Sequence, residues 1–353
     1  MKLQTSIEHR LLHFNKPAGT SRGVYHTHDV WYVRVWREDL PFCGVGECAP
    51  LPDLSCDAGP YYTERLNLAC RDLELKGFLD VESLRATPSI LFGLETAFRS
   101  WQQQSNILWD SAFARGEKGI PINGLIWMGT ANEMEMQLRA KLAEGFTCLK
   151  LKIGALDFEQ EMTLLKSIRS QFSASELVLR VDANGAFSAQ DAPEKLRRLS
   201  DLELHSIEQP IAAGRYEEMA ELIASSPIPI ALDEELIGLH SVEEKKVLLR
   251  TLKPHYIVLK PTLHGGIVGC TEWMELAQSM NMGWWITSAL ESNIGLNAVA
   301  QWTATLPYVA HQGLGTGLLY TNNIESPLAI RGECLWHDLE LSNRLRTFVK
   351  PQH

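Results

Sequence analysis

The two stretches "LQTSIEHRLLHF" and "HDVWYVRVWRE" near the start of the chain alternate apolar and polar positions with partial period two. That is the pattern of long strands with one face buried. "CGVGECAPLPDLS" (Cys43–Ser55) then reads as a Gly/Pro loop, and the apolar spacing turns helical over Pro60–Lys76 and Ser89–Gln103. Strands followed by helices predict an α+β unit over 1–118. From Gly119 the rhythm changes. Eight short apolar runs ("IPINGLIWM", "TCLKLKIG", "LVLRVDANG", "ELHSIEQP", "IPIALDEE", "YIVLKPT", "WWITSALES" and "VAHQGLGTG") are separated by amphipathic stretches such as Asp157–Gln171 and Ser188–Ser200. Eight strands alternating with helices predict an α/β fold, a (β/α)8 TIM barrel over 119–320. The segment 321–353 has no ninth unit and is expected to pack back on the N-terminal cap.

The polar residue that ends each run supports this division. Lys152, Asp182, Glu208, Asp233, Lys260 and Ser288 follow one another at intervals of 30, 26, 25, 27 and 28 residues. A βα unit of such a barrel takes roughly 25 residues, so each of these side chains falls at the C-terminal end of its strand, where barrel active sites are built.

The chain has 353 residues and a net charge of -10, with 45% hydrophobic and 22% charged residues. It is long enough for about two domains and ordinary in its globular balance. The acidic balance argues against a nucleic-acid footprint and against attachment to anionic lipid. Seven cysteines form neither a CxxC pair nor a zinc spacing, which suits reduced thiols in a cytoplasm. The start "MKLQTSIEHR" lacks the apolar core of a signal peptide, and no run of about 18 apolar residues suggests a membrane span.

The strand ends carry the candidate chemistry. Asp182, Glu208 and Asp233 come from three consecutive strands. Carboxylates converging in a partly dry mouth repel by roughly 4 kcal/mol per pair at ~4 Å and an effective dielectric of ~20. A divalent cation removes that conflict, and three hard oxygen donors without His or Cys suit Mg²⁺ rather than zinc. Lys152 and Lys260 stand on the strands flanking the three. Lys150 and Lys152 point to one side of their strand, because i and i+2 share a face. Their mutual repulsion, together with the metal, is expected to lower a lysine pKa towards working pH and so supply a general base. Mg²⁺ and a second cation beside a carboxylate substrate stabilise the enediolate that forms when its α-proton leaves.

"LKLKIG", "VDANGAF", "SIEQP", "ALDEE" and "VLKPTLHGG" resemble, in order and spacing, the enolase superfamily and within it the muconate-lactonising subgroup. The resemblance covers most of the chain. "TSALESNIG" and "GLGTG" further resemble the seventh and eighth strand ends of enzymes that dehydrate a succinyl-bearing cyclohexadiene carboxylate in menaquinone biosynthesis. This implies that Lys152 abstracts the α-proton and protonates the departing hydroxide in a syn dehydration, while Lys260 stabilises the enediolate. It implies that Asp182, Glu208 and Asp233 hold Mg²⁺, with Mn²⁺ as a substitute, and that Lys150, Asn184 and Glu234 orient these groups. Ser288, Gly315 and Thr316 are expected to meet the succinyl chain. Cap loops around Thr20–Gly23 and around Pro50–Leu54, with Leu51, are expected to close over the site; Arg22 reads either as a clamp on a substrate carboxylate or as an exposed loop charge. The partner so implied is a small carboxylate acid.

Other readings of these residues remain open. N-acylamino acid racemases share the lysine and carboxylate set. Dipeptide epimerases carry an Asp-x-Asp where this chain reads "GLGTG", and the mandelate-racemase subgroup needs a histidine where this chain has Lys260. A Schiff-base aldolase would use Lys260 but leave the carboxylates unexplained, and a binding protein would need no general base. "GVGECA" (Gly44–Ala49) fits a dinucleotide-binding pattern, but prolines rather than a helix follow it. Glu234 can equally be solvated, Lys150 can be a plain salt-bridge partner, and Trp284, Trp285 and His205 read as packing residues.

Overall fold

The computed structural model describes residues 2–20, 23–307 and 310–345, with the side chains of 19, 20 and 131 left aside. Strands β1 (Gln4–Thr20) and β2 (Gly23–Trp36) pair antiparallel, with a register shift between His13 and Ala18. A third strand, β3 (Cys43–Cys48), extends this sheet beyond β2. Here the sequence-based expectation of a loop from Cys43 is corrected. The glycines of "CGVGEC" mark close packing rather than a turn. Helices α1 (Tyr62–Lys76), α2 (Val81–Leu84) and α3 (Pro88–Gln103) follow, and α3 lies against β3. A Cβ on Gly44 would stand 2.3 Å from the Ala97 carbonyl oxygen and one on Gly46 1.9 Å from that of Gly93. Only glycine lets strand and helix approach so closely.

The predicted first run, "IPINGLIWM", divides in two. Its start is β4 (Ile120–Pro121) and its centre is β5 (Gly124–Ile126). After α4 (Ala131–Ala143) come β6 (Cys148–Lys152), α5 (Phe158–Arg169), β7 (Val178–Asp182), α6 (Ala192–Ser200), β8 (Ser206–Glu208) and α7 (Tyr216–Ser225). Then follow β9 (Ile230–Leu232), α8 (Val242–Leu252), β10 (Tyr256–Leu259), α9 (Gly266–Ser279), β11 (Gly283–Ile286) and α10 (Asn293–Thr303). Strands β5 to β11 form one parallel sheet of seven in sequence order. The eighth stave is reduced to two residues. Gln312 bridges in parallel to Ile122 and Gly313 to Thr287, so the sheet closes on itself. The result is an α/β TIM-barrel-type fold with an N-terminal capping domain.

Side chains alternate along the staves. Leu149, Leu151, Val181, Ile207, Leu232 and Leu259 are buried against the helices. The alternate set faces the axis. Deep in the barrel it is Ala231, Val258 and Trp285; above them it becomes charged.

Two glutamates from the cap tie it to the barrel. Glu47 on β3 is fully buried and accepts from the backbone N–H of Ser292 and of Gly295, each at 2.7 Å, at the start of α10. Glu95 on α3 accepts from Ile267 N–H at 2.7 Å and Val268 N–H at 3.2 Å, at the start of α9. Helix α9 has no side-chain cap of its own. Each glutamate therefore satisfies N–H groups that the first turn of a helix leaves unpaired, and complements the positive end of its dipole.

The chain beyond the barrel splits its contacts. Asn15 N–H donates to Leu319 and Thr321 N–H to His13, which seats this stretch on β1. The hairpin of β12 (Leu328–Arg331) and β13 (Cys334–His337) pairs instead with β4, and α11 (Leu339–Arg344) follows. Among the described residues, no helix is long and apolar enough to cross a membrane.

Candidate active site

The strand register brings the predicted charges to one level. Lys152 lies beside Asp182 across β6 and β7, and Asp182 beside Glu208 across β7 and β8. Asp233 follows the last residue of β9 and Lys260 that of β10. Asp182, Glu208 and Asp233 are each at most 2% exposed.

Lys150 Nζ lies 2.8 Å from Asp182 Oδ2 and 2.6 Å from Glu208 Oε2. Lys152 Nζ lies 2.7 Å from the same Asp182 oxygen and 2.7 Å from Asn184 Oδ1. Both lysines thus reach one carboxylate from one side of their strand. Lys260 Nζ pairs with Asp233 Oδ2. Asp182 Oδ1 accepts from Asn184 N–H at 3.0 Å, and Asn184 Nδ2 donates to Glu234 Oε1 at 2.9 Å. Glu234 is therefore engaged with the site rather than merely solvated. Gln209 binds the next turn: its Oε1 accepts from Asp233 N–H at 3.2 Å and Glu235 N–H at 3.3 Å. Asn184, Gln209 and Leu290 all hold positive φ (44°, 40° and 65°) just past strand ends that line the mouth. Strained backbone of this kind persists where its surroundings fix it, commonly at functional sites.

These ion pairs set the protonation pattern. Burial alone would lower the Lys150 pKa, but Asp182 and Glu208 outweigh it and raise the value above that of an ordinary lysine. Lys260 is likewise raised, burial being outweighed by Asp233 and Glu208. Without a metal, the carboxylates outweigh any depression of Lys150 by a neighbouring like charge, since its ammonium lies 2.8 Å from an Asp182 oxygen and 2.6 Å from a Glu208 oxygen. Burial pushes Asp182 up, yet Lys150 and Lys152 hold it well below the carboxylate range. Glu208 is raised, by burial and then by Asp182 beside it.

Two carboxylate oxygens in this cluster are left over. Glu208 Oε1 and Asp233 Oδ1 are buried without a hydrogen-bond partner. His264 Nε2 faces the second at 4.0 Å, and its Nδ1 accepts from Lys260 N–H at 3.0 Å. Buried acceptors left unpaired are costly. Among the described residues no three His, Cys, Asp or Glu side chains form a ready-made metal cage; lysines pair with Asp182 Oδ2, Glu208 Oε2 and Asp233 Oδ2, and Asp182 Oδ1 accepts from Asn184 N–H. The donor set, all hard oxygen with two atoms uncommitted, fits a divalent cation.

Opposite the carboxylates, the cavity is walled by Leu51, Ser288, Gly315 and Thr316, all predicted, and by Asn123 and Trp285, which sequence reasoning did not place there. Trp285 does pack as expected, with the Arg180 guanidinium 4.3 Å above its ring, and also floors the cavity. His205 packs as expected, 5.0 Å from the Tyr256 ring. Arg22 lies outside the described residues, and Thr20 is described only as the end of β1.

Residues 133–336 match the family model for the enolase C-terminal domain-like fold. The chain belongs to the enolase superfamily. It is 46% identical to the o-succinylbenzoate synthase of Desulfotalea psychrophila, over 94% of this chain and 98% of that one. The crystal structure of MenC from the same organism superposes with a TM-score of 0.82 at 41% identity, covering 95% of this chain and all of that one. The N-succinylamino acid racemase of Thermus thermophilus is 29% identical over 82% of this chain and 78% of its own length.

Proposed function

We propose that this protein is an o-succinylbenzoate synthase, a hydro-lyase that dehydrates 2-succinyl-6-hydroxy-2,4-cyclohexadiene-1-carboxylate for menaquinone biosynthesis. The observation that carries the reading is the arrangement of Lys152 and Lys260 on either side of three buried carboxylates, two of which keep an unpaired oxygen. Near-full-length similarity to a curated synthase supports the substrate.

In this mechanism Asp182, Glu208 and Asp233 hold the divalent cation, Mg²⁺ by preference and Mn²⁺ as a substitute. A divalent cation held by these three residues would supply Lewis-acid stabilisation of the charge that develops on the substrate carboxylate. Lys152 removes the α-proton and returns it to the leaving hydroxide on the same face. Lys260 stays protonated and stabilises the enediolate. Asn184 and Glu234 orient the Lys152 ammonium, and Lys150 braces Asp182 against Glu208. Cap and barrel divide the work at about residues 118 and 320, the loop around Leu51 closing the site against water. The setting is cytoplasmic, and the partner is a small diacid.

Steady-state assays with the cyclohexadiene carboxylate and with an N-succinylamino acid, both with Mg²⁺, test this reading. Dehydration with a kcat/KM well above that for racemisation is expected. Racemisation without dehydration would overturn it in favour of the racemase, whose two-face proton transfer the opposed lysines would also serve.

A further inference from the structure

His28 is a buried ionisable side chain that the proposed chemistry does not use, and it touches both lips of the cavity. Leu51 and Leu54 line the cavity from the cap, and Ser288, Ala289 and Leu290 from the barrel. The lips meet through apolar side chains: Leu51 and Ala289 share a buried cluster with Leu263, and Leu54 and Leu290 pack on it. Apolar contact is non-directional and does not by itself fix where a loop sits. His28 on β2 supplies direction. It is 3% exposed; its Nε2 lies 3.2 Å from Pro50 O, next to Leu51, and its Nδ1 lies 3.1 Å from Leu290 O. The ring stands behind both lips, outside the cavity wall.

Both carbonyls are acceptors, so their hydrogens come from the ring or from Tyr320, whose hydroxyl lies 3.0 Å from Nδ1 and donates to Leu290 O at 2.6 Å. Burial lowers the His28 pKa, although Pro50 O and Leu290 O pull it up, so the ring is neutral and has one N–H. Tyr320 already serves Leu290 O, which leaves the ring hydrogen on Nε2 for Pro50 O. Leu290 holds a φ of 65°, in the left-handed region that a leucine adopts only where its surroundings fix it. Its N–H donates to Ser288 Oγ at 3.0 Å, and its carbonyl takes the Tyr320 hydrogen. The barrel lip is thus set from its own side, and His28 seats the cap lip against it.

We propose that His28 is a positioning residue for this site: hydrogen-bonded to Pro50 O and backed by Tyr320, its ring holds the cap loop in the place from which Leu51 and Leu54 wall the ligand. This rests on the proposed function. Lys152, Lys260 and the three carboxylates stand at the strand ends of the barrel and pair with one another there, not with the cap loop. Losing the link should therefore weaken the hold on the acid while leaving proton transfer within the bound complex almost intact.

The test uses the Mg²⁺-loaded full chain, well below each variant's melting temperature. KM and kcat for the cyclohexadiene substrate, and the inhibition constant of o-succinylbenzoate, are compared in wild type, His28→Phe, His28→Gln and Tyr320→Phe. Phenylalanine keeps a ring but neither nitrogen; glutamine keeps an N–H donor near the place of Nε2. Expected for His28→Phe is a rise of roughly tenfold in KM and in the inhibition constant, with kcat within about threefold of wild type. His28→Gln should recover most of the affinity. Tyr320→Phe draws the ring hydrogen towards Leu290 O and away from Pro50 O, and should raise KM by about threefold or more. It removes a single oxygen, so it carries the test if His28→Phe does not fold. KM within about twofold of wild type in the folded variants, a fall in kcat in place of the rise in KM, or a glutamine variant as impaired as the phenylalanine one would make His28 merely structural and overturn the assignment. Wild type that does not dehydrate the substrate at all defeats the proposed function instead, so the two failures are distinguishable.

Discussion

Two groups of carboxylates buried among the described residues of this protein are handled in opposite ways. At the seam between cap and barrel, Glu47 and Glu95 have both oxygens hydrogen-bonded to the opening turns of α10 and α9. At the barrel mouth, Asp182, Glu208 and Asp233 are paired with lysines, yet Glu208 and Asp233 each keep a bare oxygen. A seam carboxylate is complete without a ligand. The mouth is incomplete, and under the proposed function its unsatisfied atoms are where a cation would bind. Stability and catalysis should therefore separate cleanly between the two groups.

The largest separation is expected at Lys152. Lys152→Ala should lose at least ~10³-fold in kcat while thermal stability stays close to wild type, since general acid–base groups contribute about 10²–10⁴. Steady-state kinetics beside a melting curve checks both halves; kcat within a few-fold of wild type would remove the residue from the chemistry. Next, Asp233→Asn should weaken Mg²⁺ binding by at least about tenfold, read by calorimetry, without unfolding the protein. Unchanged affinity would show that the bare Asp233 oxygen serves no cation.

At the seam the effects reverse. Glu95→Ala strands the Ile267 and Val268 N–H groups and should cost about 2–4 kcal/mol of stability in urea unfolding. Its kcat at low temperature should stay within about tenfold of wild type. A stability loss below about 0.5 kcal/mol would break the contrast. A further effect is in pH. Burial pushes Glu47 up to about 7 and Glu95 up to about 8, against the helix N–H groups that pull both down. The folded state then holds protons that the unfolded state has released above about 4.5. The contribution of these two groups to stability is thus full below about 4.5 and falls as pH rises through 7 to 8. Melting temperature measured from pH 5 to 8.5 should decline, and Glu47→Gln with Glu95→Gln should flatten that decline. A slope unaltered in the double variant would contradict it.

The mouth was readable from sequence because its residues obey the barrel's own period. Lys152, Asp182, Glu208, Asp233 and Lys260 each end an apolar run, and strand alternation fixes the face. What did not read out depends on contacts distant along the chain. The glycines of "CGVGEC" look like turn residues until α3 is laid against them. The closing stave is two bridges, at Gln312 and Gly313, too short to carry a pattern. Lys150's raised pKa follows from which carboxylates surround it in space, where its nearest lysine is only two positions away in sequence. Asn123 left one faint signal, a lone amide within the apolar run "IPINGLIWM".

The most direct measurement is the rate of o-succinylbenzoate formation after EDTA treatment, followed through a Mg²⁺ titration. Activity should vanish with the metal and return saturably as it is restored. Turnover indifferent to EDTA would mean that the carboxylates at the mouth serve no cation, and the opposed lysines would then need another reaction.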